Sequence, residues 1–317
     1  EEEYSIDVIQ PEKIEFKQNS YEDGENSIIS FPEFLLLVLD VCTGGEQPAS
    51  HYQPDKLIEK FDALKTYFTA GEFYEKMLYY RLLLDYYTIR RDIKDGQGNY
   101  SLILKGPKDD SDKLKQYQSM LYVSTEAFYN WLKPYLRKLE QDELHSCAEM
   151  LAFLKKGDNE RHSILPARKD LSYKASGNIR YWFWRLDYYL WEQRSTFFNE
   201  EEQKIVEHYV FRRNRSIEHL HPQDESHNEE WEEEAVHSFG NLAMISQSFN
   251  SQQSNDHIQI KFARIHEQIS NKSLQSIKMF LMCKLADFNY QNWTMKLAKE
   301  HENEMIEFLE RSFYISD

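Results

Sequence analysis

The chain lacks several of the residues that small functional domains are usually built from. Its three cysteines, Cys42, Cys147 and Cys283, stand far apart and form no CxxC pair. Zinc is therefore offered no cysteine knuckle, and the thiols read as buried groups in a reducing cytoplasm. Cations are in the minority: 38 Lys and Arg against 54 Asp and Glu give a formal net charge of −16. A protein that coats DNA electrostatically presents a basic face, so any nucleic-acid contact here must be local. No run of about 18 apolar residues is available to span a bilayer, and no basic-then-apolar leader opens the chain. Both absences predict a soluble, unexported, cytoplasmic protein without a membrane partner. The chain begins EEEY rather than with methionine, which reads as a fragment or a processed product.

What is present is a folding chain. With 317 residues, 41% of them hydrophobic and 15% aromatic, there is room for two domains and a large core. Residues 1–26 end in the polar, turn-rich QNSYEDGEN and read as a linker from an absent domain. FLLLVLDVC follows Pro32 and is apolar nearly all round, predicting a buried helix that Asn26 or Ser30 caps and Thr43-Gly44-Gly45 ends. Phe73, Met77, Tyr80, Leu84 and Tyr87 recur at helical steps and mark one core face. SLILK reads as a short strand. Phe128, Leu132, Tyr135 and Leu139 mark another helix, in which Pro134 should produce a kink or a boundary. Charge and turn formers between 156 and 178 place the domain boundary near residue 172, giving helical units over 27–172 and 173–317. The aromatic helix NIRYWFWRLDYYLWEQ opens the second unit as a packing platform rather than a base-stacking surface.

The unusual stretch runs from Arg215 to Lys261. RSIEHL reads as a strand, GNLAMIS as a second strand opened by a glycine turn, and a helix follows from Asn255. That helix buries Ile258, Phe262, Ile265 and Ile269 and carries Lys261 with Arg264 on another face. The order is strand, loop, strand, helix. Taken singly, Glu218 reads as a surface carboxylate, Asn250 as a helix cap, and Lys261 with Arg264 as an exposed face. Together they suit phosphodiester hydrolysis. That reaction needs a base near neutral pKa to activate water, for which an imidazole serves. It also needs a hard cation on oxygen ligands to neutralise the phosphoryl charge. His219 is the candidate base, Glu218 and Asn250 the candidate ligands, and Asn241 the residue that holds the loop or orients His219. Neighbours on a regular strand face opposite ways, so Glu218 and His219 converge only if the strand ends there, as Pro222 implies. His221, two residues from His219, offers an alternative in which both histidines bind zinc. His227 and His237 read as loop residues.

The pattern EHxxP, then GNL, an Asn nine residues after the first, Asn255 and Lys261 resembles the HNH-type nuclease domain at the C-terminal end of GmrSD-like modification-dependent restriction proteins. FPEFLLLVL, YQSMLYVS with YNWL, and IRYWFWRLDYYL resemble the helical middle of the same proteins. The resemblance implies a mainly α chain in which a helical domain precedes a second helical domain carrying a small ββα-metal insert. It implies a DNA endonuclease with His219 as general base, Asn241 as structural Asn, and Glu218 and Asn250 on a Mg²⁺ or Mn²⁺ ion, Zn²⁺ being the lesser choice. Lys261 and Arg264 would contact phosphate, and Arg213 and Arg215 form the basic run nearest the site. A ParB-like N-terminal sensor with a DGQQR-type motif is expected in such proteins and its motif does not occur here. The foreign or modified DNA would thus be delivered by a partner domain, with room for a homo-oligomer. A non-catalytic interaction module and an RNA-directed nuclease are the rival readings.

Overall fold

The computed structural model describes residues 24–93, 100–107, 111–124, 127–212, 216–223, 231–245 and 258–314. These form a mainly helical fold with two small antiparallel sheets. The first sheet joins β1 (Gly24–Ser27), β2 (Arg90–Ile93) and β3 (Tyr100–Ile103) in that order. The last residues assigned to the linker thus form an edge strand, with Gly24 opposite Ile93. Between β1 and β2 lie α1 (Phe31–Cys42), α2 (Leu57–Leu64) and α3 (Ala70–Tyr87).

Helix α1 starts where its local chemistry requires. Ser30 and Glu33 close a reciprocal capping box and Pro32 occupies the first turn, satisfying two of the orphan N–H groups there. Leu36, Leu37, Val38 and Leu39 are all fully buried, as the unbroken apolar run predicts. The helix stops because Gly45, at φ 78°, turns left-handed to donate its N–H to Asp40 O. A side chain at that position would also run into the Arg137 guanidinium. Helix α3 buries Phe73, Tyr80, Leu83 and Leu84, while Tyr74, Leu78, Leu82 and Tyr86 lie exposed on its other side.

Next come α4 (Ser111–Val123), α5 (Phe128–Glu140) and α6 (Cys147–Arg161). Helix α5 continues through Pro134, against the expected break. The carbonyl deprived of its partner by proline is that of Asn130, and Arg161 Nη1 donates to it at 3.1 Å. The missing intrahelical bond is supplied from another helix.

The aromatic segment forms α7 (Arg180–Glu192), whose residues Tyr181 to Trp191 are all buried. It is core, as its composition predicts. Arg185 within it is fully enclosed, and with Tyr117 and Tyr181 it converges on one oxygen of Asp158 in α6, at 3.2, 2.7 and 2.8 Å respectively. The short helices α8 (Arg194–Phe197) and α9 (Glu200–Glu207) lead to the second sheet. One apolar cluster runs from Ile28 to Leu309 and is continuous across residue 172. A second, which includes Leu220, Trp231, Val236, Ile258 and Trp293, lies under the second sheet.

That sheet pairs β4 (Ser216–His219) with β5 (Leu242–Ile245), His219 standing opposite Leu242. The four-residue helix α10 (Glu233–Val236) and a 3₁₀ turn over Phe239–Asn241 lie between them. Helices α11 (Ile258–Ser270), α12 (Ile277–Leu285) and α13 (Met295–Arg311) follow. Among the described residues this region is strand, short helix, 3₁₀ turn, strand and helix, where a loop was expected between the strands. Gly240 lies so close to α13 that a Cβ would collide with the Ala298 carbonyl oxygen and Glu302 Cβ. Among the described residues no helix is long and apolar enough to cross a membrane.

Candidate functional site

A line of buried polar contacts connects α7 to the sheet. Asp187 of α7 accepts hydrogen bonds from the Lys278 backbone N–H at 2.8 Å, from Ser276 Oγ at 3.2 Å and from Tyr209 Oη at 3.2 Å. This fixes the first turn of α12. The Lys278 ammonium, fully buried, then donates to the carbonyls of Phe239 at 2.8 Å and Leu242 at 2.7 Å. Burial pushes the Asp187 carboxyl up to about 6 and the Lys278 ammonium down to about 7, each against its hydrogen bonds or the other's charge. Both carbonyls flank Asn241, so α12 sets the backbone that presents it.

Asn241 is 0% exposed and uses its whole amide. Its Oδ1 accepts from the His221 N–H at 2.8 Å and from Trp293 Nε1 at 3.1 Å; its Nδ2 donates to His221 O at 3.0 Å and Val236 O at 2.9 Å. Four bonds fill the donor and acceptor capacity of this side chain. Of the two uses the sequence left open, the structure has Asn241 holding the loop after β4, since none of these bonds reaches His219. The turn is reinforced when Leu220 N–H donates to Asn241 O at 3.0 Å.

Strand β4 ends at His219, and Glu218 and His219 are both buried. The Glu218 carboxylate pairs with Lys261 of α11, and the Lys261 Nζ also donates to His219 O at 2.6 Å. Lys261 was expected on an exposed face with Arg264. It is instead buried, with its ammonium between the Glu218 carboxylate and the His219 carbonyl. Arg264 is half-buried on the same helix. His221 is buried with its ring stacked flat on Trp231, centroids 4.0 Å apart. Among the described residues no group of three or more His, Cys, Asp or Glu is placed to hold a metal. Asn250, Arg213 and Arg215 lie outside the described residues.

The His219 ring has its own enclosure. Nε2 lies 3.1 Å from His237 Nδ1, and Nδ1 lies 3.0 Å from Gln223 Nε2. Tyr173 meets the ring edge-on at 4.6 Å and stacks on His237 at 5.7 Å. Burial, then the neighbouring His237 and the Lys261 ammonium, lower the His219 pKa to about 3. The imidazole is therefore neutral and carries a lone pair across the whole neutral range. The pKa of His237 is also lowered, by burial and by Lys174.

Sequence reasoning missed His237, Gln223 and Tyr173. A signal for the first was available: His237 stands just ahead of the Gly240-Asn241 turn, and β5 pairs with β4 so that its start lies against His219. A polar residue there arrives beside the base.

Residues 158–308 match the family model for GmrSD restriction endonucleases, C-terminal domain. This part of the chain is similar to that family. Comparisons with curated proteins and with solved structures give no match. The GmrSD-type segment begins at Asp158, the acceptor on which Arg185 of α7 converges, and ends within α13. It contains Glu218, His219, His221, His237, Asn241, Lys261 and Arg264, and with them the elements that hold them.

Proposed function

We propose that this protein is a metal-dependent DNA endonuclease acting as the effector of a restriction or anti-phage system, with His219 as general base. The observation that carries the reading is the His219 imidazole at the end of β4, held by the His237 ring at 3.1 Å and the edge of Tyr173, inside a segment similar to the GmrSD restriction-endonuclease C-terminal domain. A neutral imidazole is the form that takes a proton from water, and a rigid wall keeps its lone pair aimed. Asn241 fixes the loop that follows the base. Arg264, with Arg213 and Arg215, supplies candidate phosphate contacts.

Glu218 and Asn250 are the candidate ligands for the cation. Their oxygen donors are of the kind that Mg²⁺ or Mn²⁺ accepts, and the pairing of Glu218 with Lys261 means that a metal must share or displace that ammonium. When bound, such an ion neutralises charge on the phosphoryl oxygens and the leaving oxygen. The overall acidity of the chain fits delivery of DNA by a partner domain of the ParB-like sensor type.

The test is cleavage by the full chain and by His219→Ala of supercoiled plasmid, of modified phage DNA and of matched RNA, in Mg²⁺ and in Mn²⁺. Wild type is expected to cut DNA, and His219→Ala to cut at least about 100-fold more slowly. Equal rates for the two proteins refute the base assignment, and cutting confined to RNA refutes the substrate. Absence of DNA cutting, including after addition of a ParB-like sensor domain, refutes the enzyme reading in favour of a binding module.

A further inference from the structure

The ring that meets the base belongs to a residue that the sequence pattern does not mark. His237 is the C-cap of α10, and its own backbone is tightly held: its N–H donates to Glu233 O, while its carbonyl accepts from Tyr173 N–H at 3.0 Å and from Ser172 Oγ at 3.1 Å. Its ring lies flat against Tyr173, at an interplanar angle of 14°. A ring clamped this way has one position, and in that position Nδ1 is 3.1 Å from His219 Nε2. Two aromatic nitrogens at this distance require one to carry a hydrogen and the other a lone pair. The Gln223 amide nitrogen lies 3.0 Å from His219 Nδ1 and 3.4 Å from Nε2, too near both to sit along either lone pair, so it does not occupy the Nδ1 lone pair. With Nε2 engaged by His237, Nδ1 is the nitrogen left to act as base, and in that role the hydrogen of His219 resides on Nε2 and is donated to His237 Nδ1.

We propose that His237 is the positioning residue for the base, holding His219 by a ring-to-ring hydrogen bond in the tautomer whose Nδ1 lone pair faces the reacting water. This rests on the nuclease reading of His219 and adds the residue that makes it usable. When Nδ1 of His219 takes a proton from water, hydroxide is released toward phosphorus and the imidazolium keeps its Nε2–H bonded to the neutral His237. A hydrogen bond donated by an ionised group is stronger than the neutral one it replaces, so His237 stabilises the charged base at the step where it forms. Tyr173 closes the edge of His219, so the ring cannot turn to offer the wrong nitrogen. His237 touches neither phosphate nor water in this scheme and acts through His219.

Three substitutions separate this from a packing role. His237→Phe keeps the stack on Tyr173 and removes the acceptor. His237→Ala removes both. His237→Asn keeps an amide oxygen close to the place of Nδ1. In the full chain, the Phe and Ala variants are expected to lose about 10- to 100-fold in kcat with KM unchanged, and Asn to recover most of the loss. A second readout needs neither metal nor DNA: with ¹⁵N-labelled histidine, a scalar coupling across the hydrogen bond should link His219 Nε2 to His237 Nδ1 and vanish in His237→Phe. The proposal is overturned if His237→Phe cuts as wild type does while His219→Ala is inactive, an outcome that leaves the nuclease reading intact. It is also overturned if the coupling is absent from the folded wild type. A third overturning result is stoichiometric Zn²⁺ or Co²⁺ binding abolished by both His219→Ala and His237→Ala, because nitrogens at this separation can share a metal instead of a proton. Cutting by His219→Ala at the wild-type rate removes the base assignment and with it the catalytic purpose of the pair.

Discussion

Asn241→Ala tests whether the site is held by one side chain. The residue is fully enclosed and makes four hydrogen bonds, to His221 N–H, His221 O, Val236 O and Trp293 Nε1. Each such bond contributes about 1 kcal/mol net, and a buried partner left without one costs about 1–3 kcal/mol. Some of the four groups will find water once the side chain is gone, so a total loss of about 3–5 kcal/mol is expected, near the upper end for single substitutions. With a urea slope of about 2–3 kcal/mol per molar, the unfolding midpoint should fall by about 1–2 M. Asn241→Asp sharpens the test. It retains the two acceptor contacts but turns a second carboxylate oxygen toward the carbonyls of His221 and Val236, so it should be as unstable as the Ala variant at neutral pH. Protonation restores one donor, and part of the loss should return in acid. If Asn241→Ala costs under about 1 kcal/mol, the four-bond account of the loop is wrong.

Two further substitutions test the buried charges. Lys261→Met should cost about 3–5 kcal/mol by leaving the Glu218 carboxylate enclosed without its ammonium, whereas Glu218→Gln combined with Lys261→Met should recover most of it; a urea double-mutant cycle with no coupling would refute the pairing. Asp187 and Lys278 set a pH dependence whose sign follows from the direction of each shift. The native Asp187 keeps its proton to about pH 6 against an ordinary 3.8, so its contribution to stability falls as pH rises between those values. The native Lys278 gives up its proton near pH 7 against 10.5 in the unfolded chain, so its contribution rises through that upper window. Asp187→Asn should flatten the acid limb of the stability profile and Lys278→Met the alkaline limb; equilibrium unfolding across pH 4–10 checks both, and unchanged limbs would refute the assignment.

The sequence patterns that proved legible are those that a local rule can fix. FLLLVLDVC is apolar but for Asp40 and most of it is buried; the Trp and Tyr spacing of α7 does not sort into a polar and an apolar face, and the helix is core. The two short strands and the helix after them follow from alternation, a glycine turn and helical spacing. What was not legible depends on partners distant in sequence. Pro134 breaks nothing because Arg161 replaces the bond it removes. Lys261 looks like a surface cation on any helical wheel, and its burial depends on Glu218, which stands more than forty residues away in sequence. His237 lies in a stretch with no periodicity, and its role depends on the strand pairing that brings β5 to His219.

The same long-range contacts explain why the family match spans residues 158–308 when the strands and helix bearing the expected site residues occupy less than half of that. Starting at Asp158, the buried links run through Arg185 to α7, from Asp187 of α7 to the first turn of α12, and from Lys278 of α12 to the carbonyls beside Asn241. Asn241 in turn holds the loop after His219. None of these bonds lies within the sheet, yet each fixes a coordinate of the base. A strand–strand–helix piece cut from the chain would lose the α12 ammonium, the Trp293 donor and the Gly240 contact with α13 together. Its strands are four residues each and pair only with one another, and an isolated two-stranded unit is marginal in water. The folding unit that positions His219 is therefore the helical body built on α7, and the catalytic candidates are an outgrowth of that core.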